Sequence, residues 1–452
     1  MTATSYRATI RLCWLTLIIG VATGLIAAAL TGLLHGIEYL VYGHHEGNVA
    51  VVVDGTTGAQ RFWGVVIAGA IAGPVWAATR RYLAPVISVD AAMKGTKMPI
   101  ASTIISIFVQ MGTVAAGAPL GRENAPREGG ALFANRLSHR LQIDPATTRI
   151  LVAAAAGAGL GAIYQIPLAG AIFALEILLS SLTITAVMTV LACSAIATIT
   201  CSLIVGTHTL YHPGALSTGW ATIVAGLIIG AICGVLGLVF RKLMNRCEKA
   251  APRAWHAAWA IPAAFLVVGV VSLWLPEVLG NGRSAATRVI EFSGSWSQID
   301  AQWIGFVCAL LAAKIILVAL VFRAGAIGGL LTPSFAIGAL SGFLVGVVLA
   351  PIFHYFDAPI RPSDFALLGA AAFLATSMAA PLFALIVTVE FTAQSSDAYL
   401  ALFLTAATAA LVATLVERRK PTADPSAGES PAGGSPAGGT TSTVALPQRP
   451  AR

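Results

Sequence analysis

An all-α protein that crosses a lipid bilayer many times, in two halves of related plan, is the fold class this sequence predicts. Three observations carry the prediction: the scarcity of charge, a series of long uncharged stretches, and one eleven-residue pattern that returns more than 200 residues later. Of 452 residues, 57% are hydrophobic and only 10% are charged, where a soluble globular domain carries about a quarter. A soluble fold of this composition would expose a largely apolar surface, whereas a membrane protein needs charge only in its loops and at functional points. The same numbers exclude a disordered or collagen-like chain.

Stretches free of Asp, Glu, Lys and Arg run from Leu12 to Ile37, Phe62 to Thr79, Met98 to Gly121, Ile150 to Leu175, Ile177 to Phe240, Trp255 to Pro276, Ala324 to Phe356 and Phe365 to Val389. Most are long enough to cross, since a spanning helix needs about 20 apolar residues. The Ile177–Phe240 run has 64 residues and is interrupted near Gly206-Thr-His-Thr-Leu-Tyr-His-Pro-Gly214, so it holds at least two crossings joined by a short outer loop. The first stretch is too long for a signal peptide and lacks a cleavage pattern, so it is expected to stay as a helix. Beyond Pro421 the repeated Ser-Pro-Ala-Gly-Gly predicts a low-complexity, disordered tail over 421–452, too short for a regulatory domain.

Orientation follows from the loop charges. Arg80, Arg81, Lys94 and Lys97 separate the second and third stretches, and Arg241, Lys242, Arg246, Lys249 and Arg253 follow the long run. The loop from His44 to Gln60, in contrast, carries only Glu46 and Asp54. The positive-inside rule then puts both termini and both basic loops on the cytoplasmic side of the cell membrane. The net charge of +8 is thereby a topology signal. Nucleic acid is not a predicted partner, because the basic residues flank apolar segments and are not interleaved with stacking aromatics.

Six cysteines (Cys13, Cys193, Cys201, Cys233, Cys247, Cys308) form no C-x-x-C pair and read as inert apolar side chains. His208 and His212 lie four apart in the outer loop with no third ligand nearby. Neither a metal nor a cofactor is predicted.

The repeat pairs Ile166-Pro-Leu-Ala-Gly-Ala-Ile-Phe-Ala-Leu-Glu176 with Ala380-Pro-Leu-Phe-Ala-Leu-Ile-Val-Thr-Val-Glu390, an offset of 214 residues. Upstream of each copy lies a glycine- and proline-interrupted element: Gly117-Ala-Pro-Leu-Gly-Arg-Glu-Asn-Ala-Pro126 and Gly325-Ala-Ile-Gly-Gly-Leu-Leu-Thr-Pro333, with Gly121 and Gly328 offset by 207. Two halves are implied, at about 10–210 and 218–420, within one membrane domain over 1–420.

Paired glycine-broken segments at corresponding places are the best sequence pointer to a substrate site at membrane depth. A new helix can begin at Pro126 or Pro333, with Asn124 or Thr332 expected to cap it. The unpaired N–H groups and positive dipole ends of two such helices favour an anion.

Glu123 follows the uncharged run Met98–Gly121, so it sits at the end of an apolar segment. A carboxylate at bilayer depth costs about 2.5–3.5 kcal/mol, so it should face a watery pathway. Ionised, it competes with an anion for the positive helix ends; protonated, it releases them, which makes a gate and a proton carrier of one residue. The plainer reading pairs Glu123 with Arg122 or Arg127. Arg127 and Glu128 are expected to make helix-start interactions. Glu176 and Glu390, at equivalent ends of the repeated helices, read as structural, accepting backbone N–H groups or pairing with a base at the cytoplasmic side. Gly157-Ala-Gly-Leu-Gly161 lacks the dinucleotide-binding spacing and its βαβ setting.

On these residues the chain resembles the CLC family of chloride channels and chloride/proton antiporters, a likeness that spans Ile10 to Lys420. Gly121-Arg-Glu-Asn-Ala-Pro126 is similar to the family's G-R-E-G-P element, with Glu123 matching its gating glutamate. Gly328-Gly-Leu-Leu-Thr-Pro333 is similar to its G-G-I-F-x-P element, so the resemblance implies that backbone amides of Gly329, Leu330 and Leu331 bind the anion beside Gly121 and Arg122. It also implies a homodimer with a separate pathway in each subunit, each built from two inverted halves whose broken, tilted helices meet at a central anion site.

Several positions depart from that pattern. Pro85-Val-Ile-Ser-Val-Asp90 stands where the family has G-S-G-I-P, leaving Ser88 as the candidate hydroxyl, and Asn124-Ala125 replaces the glycine after the gate. Ile177 stands where many antiporters carry a second glutamate, and Ala423 falls near the place of the family's pore tyrosine. The expected function is passage of chloride or a similar small anion, as a channel or in exchange for protons. Fluoride/proton exchange is the alternative. An embedded enzyme would need H-E-x-x-H or paired aspartates, and the chain has neither.

Overall fold

The computed structural model describes residues 3–43, 55–217, 219–252, 255–358 and 360–418. The tail over 421–452, Ala423 within it, and the acids Glu46 and Asp54 lie outside the described residues. Among the described residues every regular element is helical, apart from one isolated β-bridge.

The first half comprises α1 (Ala3–Tyr42), α2 (Gly58–Tyr82), α3 (Val89–Met93), α4 (Ile100–Ala115), α5 (Asn124–Arg140), α6 (Pro145–Tyr164), α7 (Pro167–Phe173, continued by a π-turn over Ala174–Leu179) and α8 (Ile184–Val205). The second comprises α9 (Trp220–Lys249), α10 (His256–Val271), α11 (Arg283–Ile290), α12 (Ala301–Arg323), α13 (Leu331–Tyr355), α14 (Pro362–Ser377), α15 (Pro381–Thr392) and α16 (Tyr399–Arg418). Eight described helices are long and apolar enough to cross a membrane.

Two of these crossings extend the list read from uncharged stretches. Ala301–Arg323 is interrupted in sequence by Lys314, which the fold buries completely and satisfies with the Val278 and Gly280 carbonyls at 2.9 and 2.7 Å. Ser396–Arg418 supplies the last crossing. Conversely, two stretches that read as continuous are broken. Ile150–Leu175 divides at Gln165 (φ 58°) before Pro167, and Phe365–Val389 divides at Ala379 (φ 54°) before Pro381. Proline suits a first turn, where its missing N–H would have had no partner. The long run divides as expected, α8 and α9 flanking residues 206–219.

The halves repeat each other's packing, element n of the first with element n+8 of the second. The pairs α1/α8, α1/α6, α6/α8 and α5/α6 are echoed by α9/α16, α9/α14, α14/α16 and α13/α14, while α2 packs on its own counterpart α10. That last crossing is close: a Cβ added to Gly69 would lie 2.3 Å from Phe265 Cβ.

The relation between the halves is antiparallel. The carboxylate of Glu176, closing α7, accepts the N–H groups of Leu382 and Phe383 at 3.2 and 2.7 Å in the first turn of α15. That of Glu390, closing α15, accepts those of Leu168 and Ala169 at 3.1 and 2.7 Å in the first turn of α7. Each helix thus supplies the cap that the other's leading proline cannot, and the two glutamates sit at opposite ends of the pair. The two therefore do not share one side, and among the described residues neither meets a base.

One face of the bundle collects the basic helix ends. Arg80 at the end of α2 bonds the Gly325 carbonyl after α12, Arg11 bonds the Leu141 carbonyl after α5, and Arg149 in α6 bonds the Leu179 carbonyl after α7. Arg241 near the end of α9 reaches Glu417 of α16 at 2.8 Å. We refer to this as the basic face.

Candidate functional site

The two glycine-broken elements meet at the centre of the molecule. Gly121 and Gly329 exchange backbone hydrogen bonds (2.8 and 2.9 Å), a single antiparallel bridge that sets the first turns of α5 and α13 against each other. α5 leaves this point toward the basic face and α13 leaves it in the opposite sense. Pro126 and Pro333 are each third in their helix, among the residues whose N–H has no intrahelical acceptor, so neither removes a bond.

The expected caps are absent. Glu123 and Leu330 are the N-cap residues, and neither helix start is capped by an N-cap side chain. Asn124 turns away to Gln110 and Glu128, and the Thr332 hydroxyl stands 3.3 Å from that of Tyr164. The free amides therefore remain available to a ligand.

Glu123 takes one of them. Its Oε1 accepts the Leu331 N–H at 2.8 Å and its Oε2 accepts the Tyr164 hydroxyl at 2.9 Å, with the side chain buried. The carboxylate lies between the two glycines: a Cβ built on Gly121 would be 2.1 Å from Oε2 and one on Gly329 1.8 Å from Oε1. Only hydrogen at both positions leaves room for the oxygens. Neither alternative ion pair forms. Arg122 is buried with its guanidinium 4.9 Å over the Tyr164 ring, and that of Arg127 stacks 4.4 Å over Phe173.

Tyr164 went unread in the sequence. It ends α6, a helix of alanines and glycines, and packs edge-on against Phe391 at 5.3 Å. A lone phenol closing such a helix at membrane depth, one residue before a repeat-marking break, was the available signal. The close approach of α5 rests on the glycine run now seen inside α6, since a Cβ on Gly159 would lie 2.3 Å from the Pro126 carbonyl.

On the other side of Glu123 from the basic face, Arg122 lines a small cavity with Leu34, Glu38, Val114, Leu210, Asn281 and Arg283. Arg283 also borders an open cleft of about 720 Å³ that includes Gln165, Thr198, His208 and His212. An anion approaching from here meets two guanidiniums before it meets the glutamate.

Ser88 stands elsewhere. It is the N-cap of the five-residue α3, its Oγ accepting the Ala91 N–H at 3.2 Å. Of the two residues expected to make helix-start interactions, Glu128 accepts the side-chain amide of Asn124, the first residue of α5, and that of Gln110, both at 3.0 Å, while the Arg127 side chain stacks on Phe173.

A family profile described as Voltage gated chloride channel matches residues 64–414. The Voltage-gated ClC-type chloride channel ClcB of Escherichia coli O157:H7 (strain EC4115 / EHEC) is 26% identical over 394 residues, covering 84% of this chain and 91% of that protein. The same protein of Escherichia coli (strain K12 / DH10B) gives the same figures. The fold is similar to the X-ray crystal structure of a slow cyanobacterial Cl⁻/H⁺ antiporter (TM-score 0.73, 20% identity, 90% of this chain and 95% of the other). It is also similar to that of a CLC-type fluoride/proton antiporter (TM-score 0.68, 19% identity, 92% and 97%).

Proposed function

Because the chain belongs to the voltage gated chloride channel family, we propose that it carries chloride, or a small inorganic anion like it, across the cytoplasmic membrane by a path that Glu123 closes. One observation carries this reading: the Glu123 carboxylate sits on the Leu331 amide between two glycines, an anion belonging to the chain in the position a permeating anion would take. Protonation removes its negative charge and its claim on that amide. The side chain then swings out, and an anion drawn in past Arg122 and Arg283 accepts the N–H in its place.

Exchange against protons follows from the same swing, since the proton that frees the gate leaves with it. Both termini are cytoplasmic in this reading, the basic face being the inner one. The protein works as a homodimer with one path per subunit, and the exposed Leu168 and Leu382 offer an apolar face on the paired helices α7 and α15.

The test is anion efflux from liposomes holding the purified protein. Glu123→Gln is expected to give flux that no longer changes with pH; an unchanged, pH-sensitive flux defeats the assignment. Chloride and fluoride loaded in parallel rank the two anions.

A further inference from the structure

Below the gate, the helices α4 and α5 bury two groups of polar side chains, one next to Glu123 and one at the basic face. On α4, Ser102, Ser106 and Gln110 are spaced four apart and fall on one stripe; on α5, Asn124, Glu128, Asn135 and Ser138 share one face, with buried Ala131 and Leu132 between the two pairs. Apart from half-buried Asn124, all of these are buried. Contacts join the stripes: Gln110 donates to Ser106 Oγ and to Glu128 Oε2 at 3.0 Å, while Asn124 donates to Glu128 Oε1 at 3.0 Å and to Gln110 Oε1 at 2.9 Å. At the basic face, Asn135 closes on the backbone of Thr96 and Met98 at 3.1 and 3.0 Å. The hydroxyls of Ser102 and Ser138 are buried with no hydrogen-bond partner, which leaves them free for water.

A carboxyl group here is unusual, because its two oxygens meet only neutral amides. Arg127 is within electrostatic range of both Glu123 and Glu128 but stacks on Phe173. α4 brings no charged residue, and the charged groups of the other elements packed on α5 stand toward their ends: Arg7, Arg11 and Glu38, with His35 one turn before it, on α1, Asp90 beside Lys94 on α3, and Arg149 on α6; Arg136, His139 and Arg140 of α5 itself lie in its last two turns. Among the described residues, no base is within ion-pair distance of Glu128.

The geometry points to Glu128 as a second proton-exchange site, loaded from the basic face along the α4/α5 seam and discharging to Glu123 through the turn that Asn124 shares with both. In the loading step, hydronium at the basic face gives up a proton as an O–H bond forms on Glu128. In the transfer step that bond breaks as one forms on Glu123, leaving Glu128 ionised and Glu123 neutral. Gln110 and Asn124 hold the carboxyl group in either state, because each amide can donate to it or accept from it.

This site rests on the proposed gate, so the experiment separates the two. The full chain is reconstituted in liposomes, and chloride and proton fluxes are recorded together under a chloride gradient. Glu128→Gln keeps the hydrogen-bonding shape and loses the titratable group. Proton movement is expected to fall about tenfold or more, while the chloride flux that persists, with Glu123 protonated from the opposite side, stays sensitive to pH. Ser102→Leu, which fills the seam near its mouth, should give the same selective loss and covers the case in which Glu128→Gln does not fold. Proton movement at the wild-type level in both variants overturns the proposal, as does a wild-type protein that moves no protons. If the gate assignment alone is wrong, Glu123→Gln leaves the flux sensitive to pH; if only Glu128 is misassigned, Glu123→Gln still abolishes that sensitivity.

Discussion

The α4/α5 and α12/α13 pairs occupy equivalent places in the two halves, yet they are lined differently. Against the hydroxyls, amides and carboxyl of the first, α12 buries Val307, Leu310, Leu317, Val318 and Val321, with one amine at Lys314. α13 adds Ser334 and Ser341, the latter bonded to the Ile337 carbonyl of its own helix. One seam holds a buried carboxyl group among amides and hydroxyls; the other brings an amine and the free amides of a helix start. A repeated backbone therefore does not repeat its chemistry. In the proposed mechanism the first half supplies the carboxylate that moves and a route to one face, and the second supplies the fixed positive field.

The comparison breaks most sharply at the bridge between the halves. Gly329→Ala puts a methyl group where the Glu123 carboxylate rests, and such overpacking costs about 1–3 kcal/mol or more. Chloride flux is expected to fall to the level of empty liposomes at every pH. Retained, pH-gated flux would show that the carboxylate does not rest there.

Lys314→Met removes two charge-assisted hydrogen bonds and strands the Val278 and Gly280 carbonyls. It should lower stability by about 3 kcal/mol, read by denaturation in detergent, while Glu128→Gln stays within about 1 kcal/mol because its oxygen keeps one acceptor and the neighbouring Gln110 amide can turn to accept from its NH2. Equal losses would erase the distinction between the seams.

Tyr164→Phe sharpens the reading of the gate. The phenol donates to the ionised carboxylate, and a hydrogen bond to a charged group contributes about 1.5 kcal/mol, the equivalent of about one pH unit. Without that donor Glu123 protonates more readily, so the midpoint of pH-activated flux should move up by about that amount; an unmoved midpoint would remove Tyr164 from the gate.

The smallest effect lies at the helix starts. Asp144 caps α6 through the Thr147 N–H at 2.9 Å, whereas Arg361, N-cap of the equivalent α14, makes no side-chain cap bond. Hydrogen bonding to Thr147 holds the Asp144 carboxyl below its ordinary value. Its contribution is therefore present above the ordinary carboxylate range and fades as pH falls through the lowered value. Asp144→Ala should cost about 1 kcal/mol at neutral pH and less in acid, measured by thermal unfolding at both.

What could be read from the chain was what lies close together along it. Gly121, Pro126, Gly328, Pro333 and the two Pro-Leu repeats mark breaks that depend on neighbouring residues, so the meeting of two helix starts was visible. Lys314 concealed a crossing because hydropathy counts an amine as exposed, and its carbonyl partners lie more than thirty residues away. Tyr164 meets Glu123 from 41 residues away, and Glu128 meets Gln110 from 18, beyond any helical periodicity, although its Asn124 partner is only four residues away. The capping expectation at Asn124 failed because a polar interface competed for its side chain.

The exchanged glutamates of α7 and α15 have a consequence for ancestry and assembly. Two separate copies of one half, meeting about a two-fold axis, would make both contacts with a single glutamate each. Fusion into one chain leaves Glu176 and Glu390 free to diverge. It also leaves the first turn of α7 without its carboxylate until more than 200 further residues have been synthesised, so the first half completes its hydrogen bonding only when the second is in place.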